Sequence, residues 1–183
     1  MRFLFSLLAL FMVPKWAPAS LVVVRAGKQV GTGLLYKGKY VLTAASLVQQ
    51  AHLTGRTIRV ERTYSVDSVE TQLIQRTAKA VHYKAQDVAV LELDFKINKQ
   101  ATFSTAYDEL DTYYIMGSMF GHSFFFTQDE WTPDLDPEPE VRSLGSGVFH
   151  GAECFGMFTK YGFVRTSELL DGLHVGDSET RLQ

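Results

Sequence analysis

From Ser20 onward the chain is a succession of short apolar runs broken by turn signals, and this pattern restricts its fold more than any single motif. Residues 21–24 are apolar and mostly β-branched. Residues 30–36 run into Lys37-Gly38-Lys39, a tight-turn signal, and then into 40–45, which together read as a hairpin. Residues 57–62 and 69–74 alternate polar and apolar, as half-buried strands do, whereas 88–93 are more continuously apolar. Further strands are expected over 112–116, 123–127, 147–150, 154–159 and 162–165. About twelve short strands argue for an all-β sandwich or pair of barrels. Helix is scarce. Ser46 with Gln49 has capping-box spacing and predicts one short turn, and residues 166–172 predict a brief C-terminal helix, with capping residues first and Gly172 last. The five prolines are Pro14, Pro18, Pro133, Pro137 and Pro139, so everything between the second and third is open to strand pairing.

The N-terminus has a separate logic. Arg2 precedes an apolar run over 3–13, and Ala17-Pro18-Ala19 supplies the small residues of a secretory cleavage site. The run is too short to span a bilayer comfortably. We expect export, with residues 1–19 as signal and cleavage before Ser20; the alternative is an N-terminal membrane anchor, with Lys15 and Trp16 at the end of the apolar run. Cleavage leaves 164 residues and, by removing Arg2 and Lys15, takes the formal charge from −2 to −4. The product would be periplasmic or secreted, with no stable membrane span and no call for nucleic acid. Cys154 is the only cysteine, so no intrachain disulfide can form and stability rests on the core. It lies in an apolar run and reads as a small buried hydrophobe.

Three segments, in order, carry a resemblance: Gly31-Thr32-Gly33-Leu34-Leu35 followed by Tyr40-Val41-Leu42-Thr43-Ala44-Ala45-Ser46; then Asp87-Val88-Ala89-Val90-Leu91-Glu92-Leu93; then Leu144-Gly145-Ser146-Gly147-Val148-Phe149. Together they resemble the chymotrypsin/trypsin-like serine proteases in their short bacterial form, over nearly all of residues 20–173. The resemblance implies two packed six-stranded antiparallel β-barrels, N-terminal over 20–100 and C-terminal over 101–173 with a short terminal helix. A polar tail, 174–183, would follow. It also implies a site in the cleft between the barrels.

The departures from the family pattern decide function. Where the family has its histidine base, at the end of T-A-A-H, this chain has Ser46, and a hydroxyl has far too little proton affinity to replace imidazole. Asp87 matches the family's orienting acid. The nucleophile's position is taken by Leu144, which has no nucleophilic atom. Ser46, Asp87 and Leu144 are therefore read as a vestigial triad: Leu144 filling space, and Asp87 retained for the backbone hydrogen bonds its carboxylate accepts. This gives a pseudoprotease that binds, scaffolds or regulates a protein or peptide. The alternative is an active serine-type peptidase with a rearranged site, using Ser146 or Cys154 with a displaced histidine such as His82.

Candidate binding residues follow from exposure and charge. Thr159, Lys160 and Tyr161 lie on the strand expected to flank the cleft, where an extended peptide could add by β-augmentation. Asp134 and Asp136 sit in the acidic, proline-rich loop 132–140, suited to a basic partner. Phe125 is the member of Phe124-Phe125-Phe126 that alternation directs away from its neighbours. No cofactor or metal is expected. His150 and Cys154 flank the turn signal Gly151-Ala152, but zinc wants three or four ligands.

Overall fold

The computed structural model describes residues 18–65, 71–98, 102–106, 108, 110–118, 125–131 and 144–173, with backbone alone for 65, 71 and 125–131. The first six strands are β1 (Leu21–Ala26), β2 (Gln29–Tyr36), β3 (Tyr40–Ala44), β4 (Ile58–Ser65), β5 (Thr71–Lys84) and β6 (Val88–Leu93). They close into an antiparallel barrel in the order β1-β2-β3-β6-β5-β4. Then come β7 (Thr102–Phe103), β8 (Tyr113–Ser118), β9 (Phe125–Trp131), β10 (Gly147–His150), β11 (Glu153–Thr159) and β12 (Gly162–Arg165). These form a second sheet, β12-β11-β10-β8-β9, with β7 parallel to β11. Where a second closed barrel was expected, the described residues show an open sheet.

The two halves are joined by strands buried on both faces. In β1, Val22 and Val24 point into the barrel with Leu35, Val41, Val60 and Leu91. Leu21 and Val23 point the other way, with Leu34, Leu42 and Val90, and pack against Met116, Phe149, Met157, Val164 and Leu169 of the second half. Alternating residues of one strand thus serve two cores, which is why 21–24 and 88–93 read as continuous apolar runs rather than as alternation. The β2–β3 hairpin turns through Lys37 and Gly38 at φ of 52° and 70°, the left-handed pair that a tight two-residue turn needs.

Both helices differ from expectation at their starts. The first, α1 (Ala45–Leu53), runs nine residues rather than one turn, and the residue at its N-cap is Ala44. Ser46 lies inside the first turn, and its side chain does not cap the helix, because its hydroxyl is drawn to Asp87. In α2 (Thr166–Leu170) the N-cap is Arg165, and Thr166 Oγ1 donates to the Cys154 carbonyl. The far end of α2 is closed from the barrel: Lys84 Nζ donates to the carbonyls of Glu168, Leu169 and Asp171 at 2.9, 2.8 and 2.6 Å. A cation there satisfies carbonyls that a five-residue helix leaves open. Among the described residues no helix is long and apolar enough to cross a membrane.

Since Leu42 is wholly buried between the two halves, Leu42→Ala should cost about 2–5 kcal/mol. Urea unfolding followed by far-UV circular dichroism would show the lower midpoint.

Candidate functional site

The site residues converge where the barrel meets the second sheet. Asp87 closes the turn between β5 and β6. Gln86 and Asp87 both sit in the left-handed region, at φ of 62° and 61°, which aspartate tolerates better than most residues. This turn presents Asp87 to the start of α1. Its carbonyl accepts the Ala45 N–H at 2.7 Å, Oδ1 accepts the Ser46 N–H at 2.7 Å, and Oδ2 accepts the Ser46 hydroxyl at 2.8 Å. Oδ2 also accepts the backbone N–H of Lys160, from the turn between β11 and β12, at 3.1 Å. The carboxylate thus meets the unpaired N-terminal donor of a helix that has no side-chain cap of its own, where negative charge is favoured.

Leu144 is fixed from both sides. Its carbonyl accepts the Thr32 N–H at 2.9 Å, and its side chain packs against the barrel core. One residue on, Gly145 donates its N–H to the Phe158 carbonyl at 2.9 Å, and the Ser146 carbonyl accepts from Phe158 N–H at 2.8 Å. Gly145 has φ of 86°, and a Cβ there would lie 1.8 Å from the Thr32 carbonyl oxygen. The segment is wedged between β2 and β11 so tightly that only glycine fits at 145. Its register cannot slide to move Ser146 into the place of Leu144.

The rearranged-site residues are not brought together. Ser146 and Cys154 are fully buried. The Cys154 thiol donates to the Gly156 carbonyl at 3.4 Å, and burial pushes its pKa up to about 12, so it holds its proton at any physiological pH. The described histidines engage elsewhere. His82 is exposed, 3.9 Å from the Glu92 carboxylate. His52 Nδ1 meets the Tyr83 hydroxyl at 2.7 Å, and His150 Nδ1 lies 3.0 Å from the Thr112 carbonyl. Among the described residues no three His, Cys, Asp or Glu side chains are grouped so as to hold a metal ion.

Of the candidate binding residues, Thr159 is buried, its hydroxyl accepting the Tyr161 N–H at 3.3 Å. The strand edge at Phe158 and Thr159 is already taken: Phe163 and Gly162 pair with it on one side, and Gly145 and Ser146 bond Phe158 on the other. An added strand has no backbone to meet there. Lys160 and Tyr161 form the β11–β12 turn, with Lys160 Nζ 5.0 Å from the centre of the Tyr161 ring and Tyr161 73% exposed. The side chain of Phe125, and Asp134 and Asp136 altogether, lie outside the described residues.

Sequence reasoning missed two buried polar residues, the first of which positions this region. Thr32 joins barrel to sheet: its N–H binds Leu144, and its Oγ1 accepts the Ser118 N–H at 2.7 Å. A polar residue between two glycines in an otherwise apolar strand was the available signal. Arg62 is buried too: period two places it on the inward side of β4 with Ile58 and Val60.

No protein-family model matches the chain, and no curated protein matches it in sequence. Solved structures do match in fold. The Rv3671c protease of M. tuberculosis in an inactive form is 18% identical with a TM-score of 0.60, over 91% of this chain and 94% of that one. Deg5 is 15% identical with a TM-score of 0.56, over 99% and 93%. An inactivated protease paralogue of the scabies mite, S-D1, is 13% identical with a TM-score of 0.55, over 91% and 92%.

Two outcomes follow from the geometry. Asp87→Ala strands three donors at the junction and forces alanine to hold a positive φ, so it should cost roughly 2–4 kcal/mol, measured as a fall in the denaturation midpoint. Iodoacetamide at pH 8 should leave Cys154 unlabelled in the folded protein and label it fully in 6 M guanidinium, as read by intact mass. The closed barrel, the second sheet and the likeness to these solved structures together give this chain a protease-like fold.

Proposed function

We propose that the chain is an exported protease-fold protein that has given up peptide cleavage and works as a binding or regulatory module for a protein or peptide partner. The observation that carries this is the 2.8 Å hydrogen bond from the Ser46 hydroxyl to Asp87 Oδ2. At the place where the resemblance implies an imidazole, a short hydroxyl faces the carboxylate, and both carboxylate oxygens are engaged by Ser46 and Lys160. Leu144 offers no attacking atom. General-base transfer and nucleophilic attack both lack a group to perform them, and losing triad members removes several orders of magnitude of rate.

The rearranged peptidase is the weaker reading. Ser146 has no exposed surface, and Cys154 is both buried and protonated. The scabies mite S-D1 protein, an inactivated protease paralogue, has a similar fold, which supports this reading.

Partner recognition is assigned to the surface beside the old site. Lys160 and Tyr161 project from a turn whose backbone is pinned to Asp87, so an exposed aromatic ring and a cation are held on a rigid base. Charge adds a second element. Residues 101–183 carry fourteen Asp and Glu against four Lys and Arg, whereas 20–100 carry six against twelve. The acidic half, with Asp134 and Asp136, suits a basic segment of a partner.

The test is a fluorophosphonate probe and a mixed peptide library applied to the purified protein. No labelling and no new cleavage products are expected, and Ser146→Ala should change neither result. Labelling that disappears in Ser146→Ala would establish the peptidase reading instead.

A further inference from the structure

One side of the barrel is built from segments without a carboxylate. No Asp or Glu occurs between Ser20 and Val60, a stretch that carries six Lys and Arg, and none occurs between Thr71 and Lys84. The β1–β2 turn, the end of α1 and the middle of β5 come from these stretches, and two hollows lie among them. The first, of about 290 Å³, has Lys28, Gln29, Gln50 and Thr54 on its walls. The second, of about 240 Å³, lies between the residues that follow α1 and residues 77–81 of β5. Arg56 lines both.

The Arg56 side chain is laid against the β1–β2 turn, with Nη1 and Cδ 3.4 and 3.6 Å from the position that a Cβ on Gly27 would take. Closing α1 does not occupy its charge. The carbonyls of Gln50, Ala51 and His52 accept the N–H groups of Thr54, Arg56 and Gly55 at 3.0, 2.8 and 3.2 Å. Among the described residues neither the Arg56 guanidinium nor the Lys28 ammonium has a carboxylate partner, whereas Arg25 is paired with Glu61 and Lys79 with Glu92.

We infer that this groove binds an acidic peptide segment of a partner protein, one carboxylate meeting Arg56 between the two hollows and another meeting Lys28. Each hollow alone is smaller than the roughly 300 Å³ at which small-molecule pockets begin. An extended chain that sets one side chain in each therefore fits better than a compact ligand. A nucleic acid fits less well, because few cations line the groove and the formal charge of the whole chain is −2, which repels a long polyanion. Beside His52, on the wall of the second hollow, stand Leu53, 76% exposed, and Tyr83, its ring 5.6 Å from the imidazole. That apolar surface can be covered by a peptide's own side chains and has no use to a phosphate backbone. The nine residues of α1 separate the groove from the Asp87 joint, a distance of about 13 Å. The surface is thus distinct from the one at Lys160 and Tyr161, and its occupancy does not depend on whether the old site is active.

The test uses the purified protein and short fluorescein-labelled peptides with several Glu at varied spacing around a Leu, read by anisotropy, with Gln in place of Glu as the control set. The best Glu peptide should bind about tenfold more tightly than its Gln counterpart, and Arg56→Glu should weaken it by about the same factor. Lys28→Glu, in an exposed turn outside the helix, repeats the test without touching α1 and should weaken binding roughly threefold or more. Lys96→Glu makes the same charge change away from the groove and should leave binding as it is. Equal binding of the Glu and Gln sets, binding untouched by either groove variant, or an equal loss in Lys96→Glu overturns the inference. So does tighter capture of a DNA oligonucleotide of the same charge than of any Glu peptide.

Discussion

One carboxylate, on Asp87, joins three parts of the chain that are far apart in sequence. It receives the first turn of α1 through Ser46 and the β11–β12 turn through Lys160, while its own backbone carbonyl takes Ala45. Because α1 belongs to the barrel and Lys160 to the second sheet, the side chain is a joint between the two halves. In a protease of this fold the matching acid is implied to orient a base. In this chain the two carboxylate oxygens accept from one hydroxyl and two backbone amides.

The joint works because the surfaces it connects are already committed. Leu21, Val23, Leu34, Leu42 and Val90 leave the barrel wall and meet Phe149, Met157 and Leu169 across a dry contact. The Leu144–Ser146 segment is wedged into the same seam, tied to Thr32 on one side and Phe158 on the other. Apolar burial brings the halves together without fixing direction, whereas the hydrogen bonds of Asp87, Thr32 and Gly145 set the register. The Cys154 thiol, inside this seam, is kept protonated by the same exclusion of water.

Much of the barrel was legible. The hairpin through Lys37 and Gly38 announces itself by turn chemistry, and the double-faced strands by continuous apolar runs. The length of β5 was not legible. Beyond Ile74, from Gln75 to Lys84, it is mixed and half-buried, and the register shift between Ala78 and Ala80 breaks the alternation that would have revealed it. At the site, the serine at position 46 and the leucine at position 144 could be read directly from residue identity. The role of Ser46 could not: capping-box spacing is a local signal, and the carboxylate that overrides it comes from 41 residues away. The burial of Thr159 was not legible for a similar reason, since its strand edge pairs with Gly162 and Phe163 through a turn too short to look like a strand partner.

The most direct measurement is amide hydrogen exchange, residue by residue, in the wild type and in Asp87→Ala. If Asp87 is the joint described, the Ser46 and Lys160 amides are protected like the barrel strands in the wild type and lose that protection together in the variant. Fast exchange at both positions in the wild type, or loss at Ser46 with Lys160 unchanged, would contradict the account.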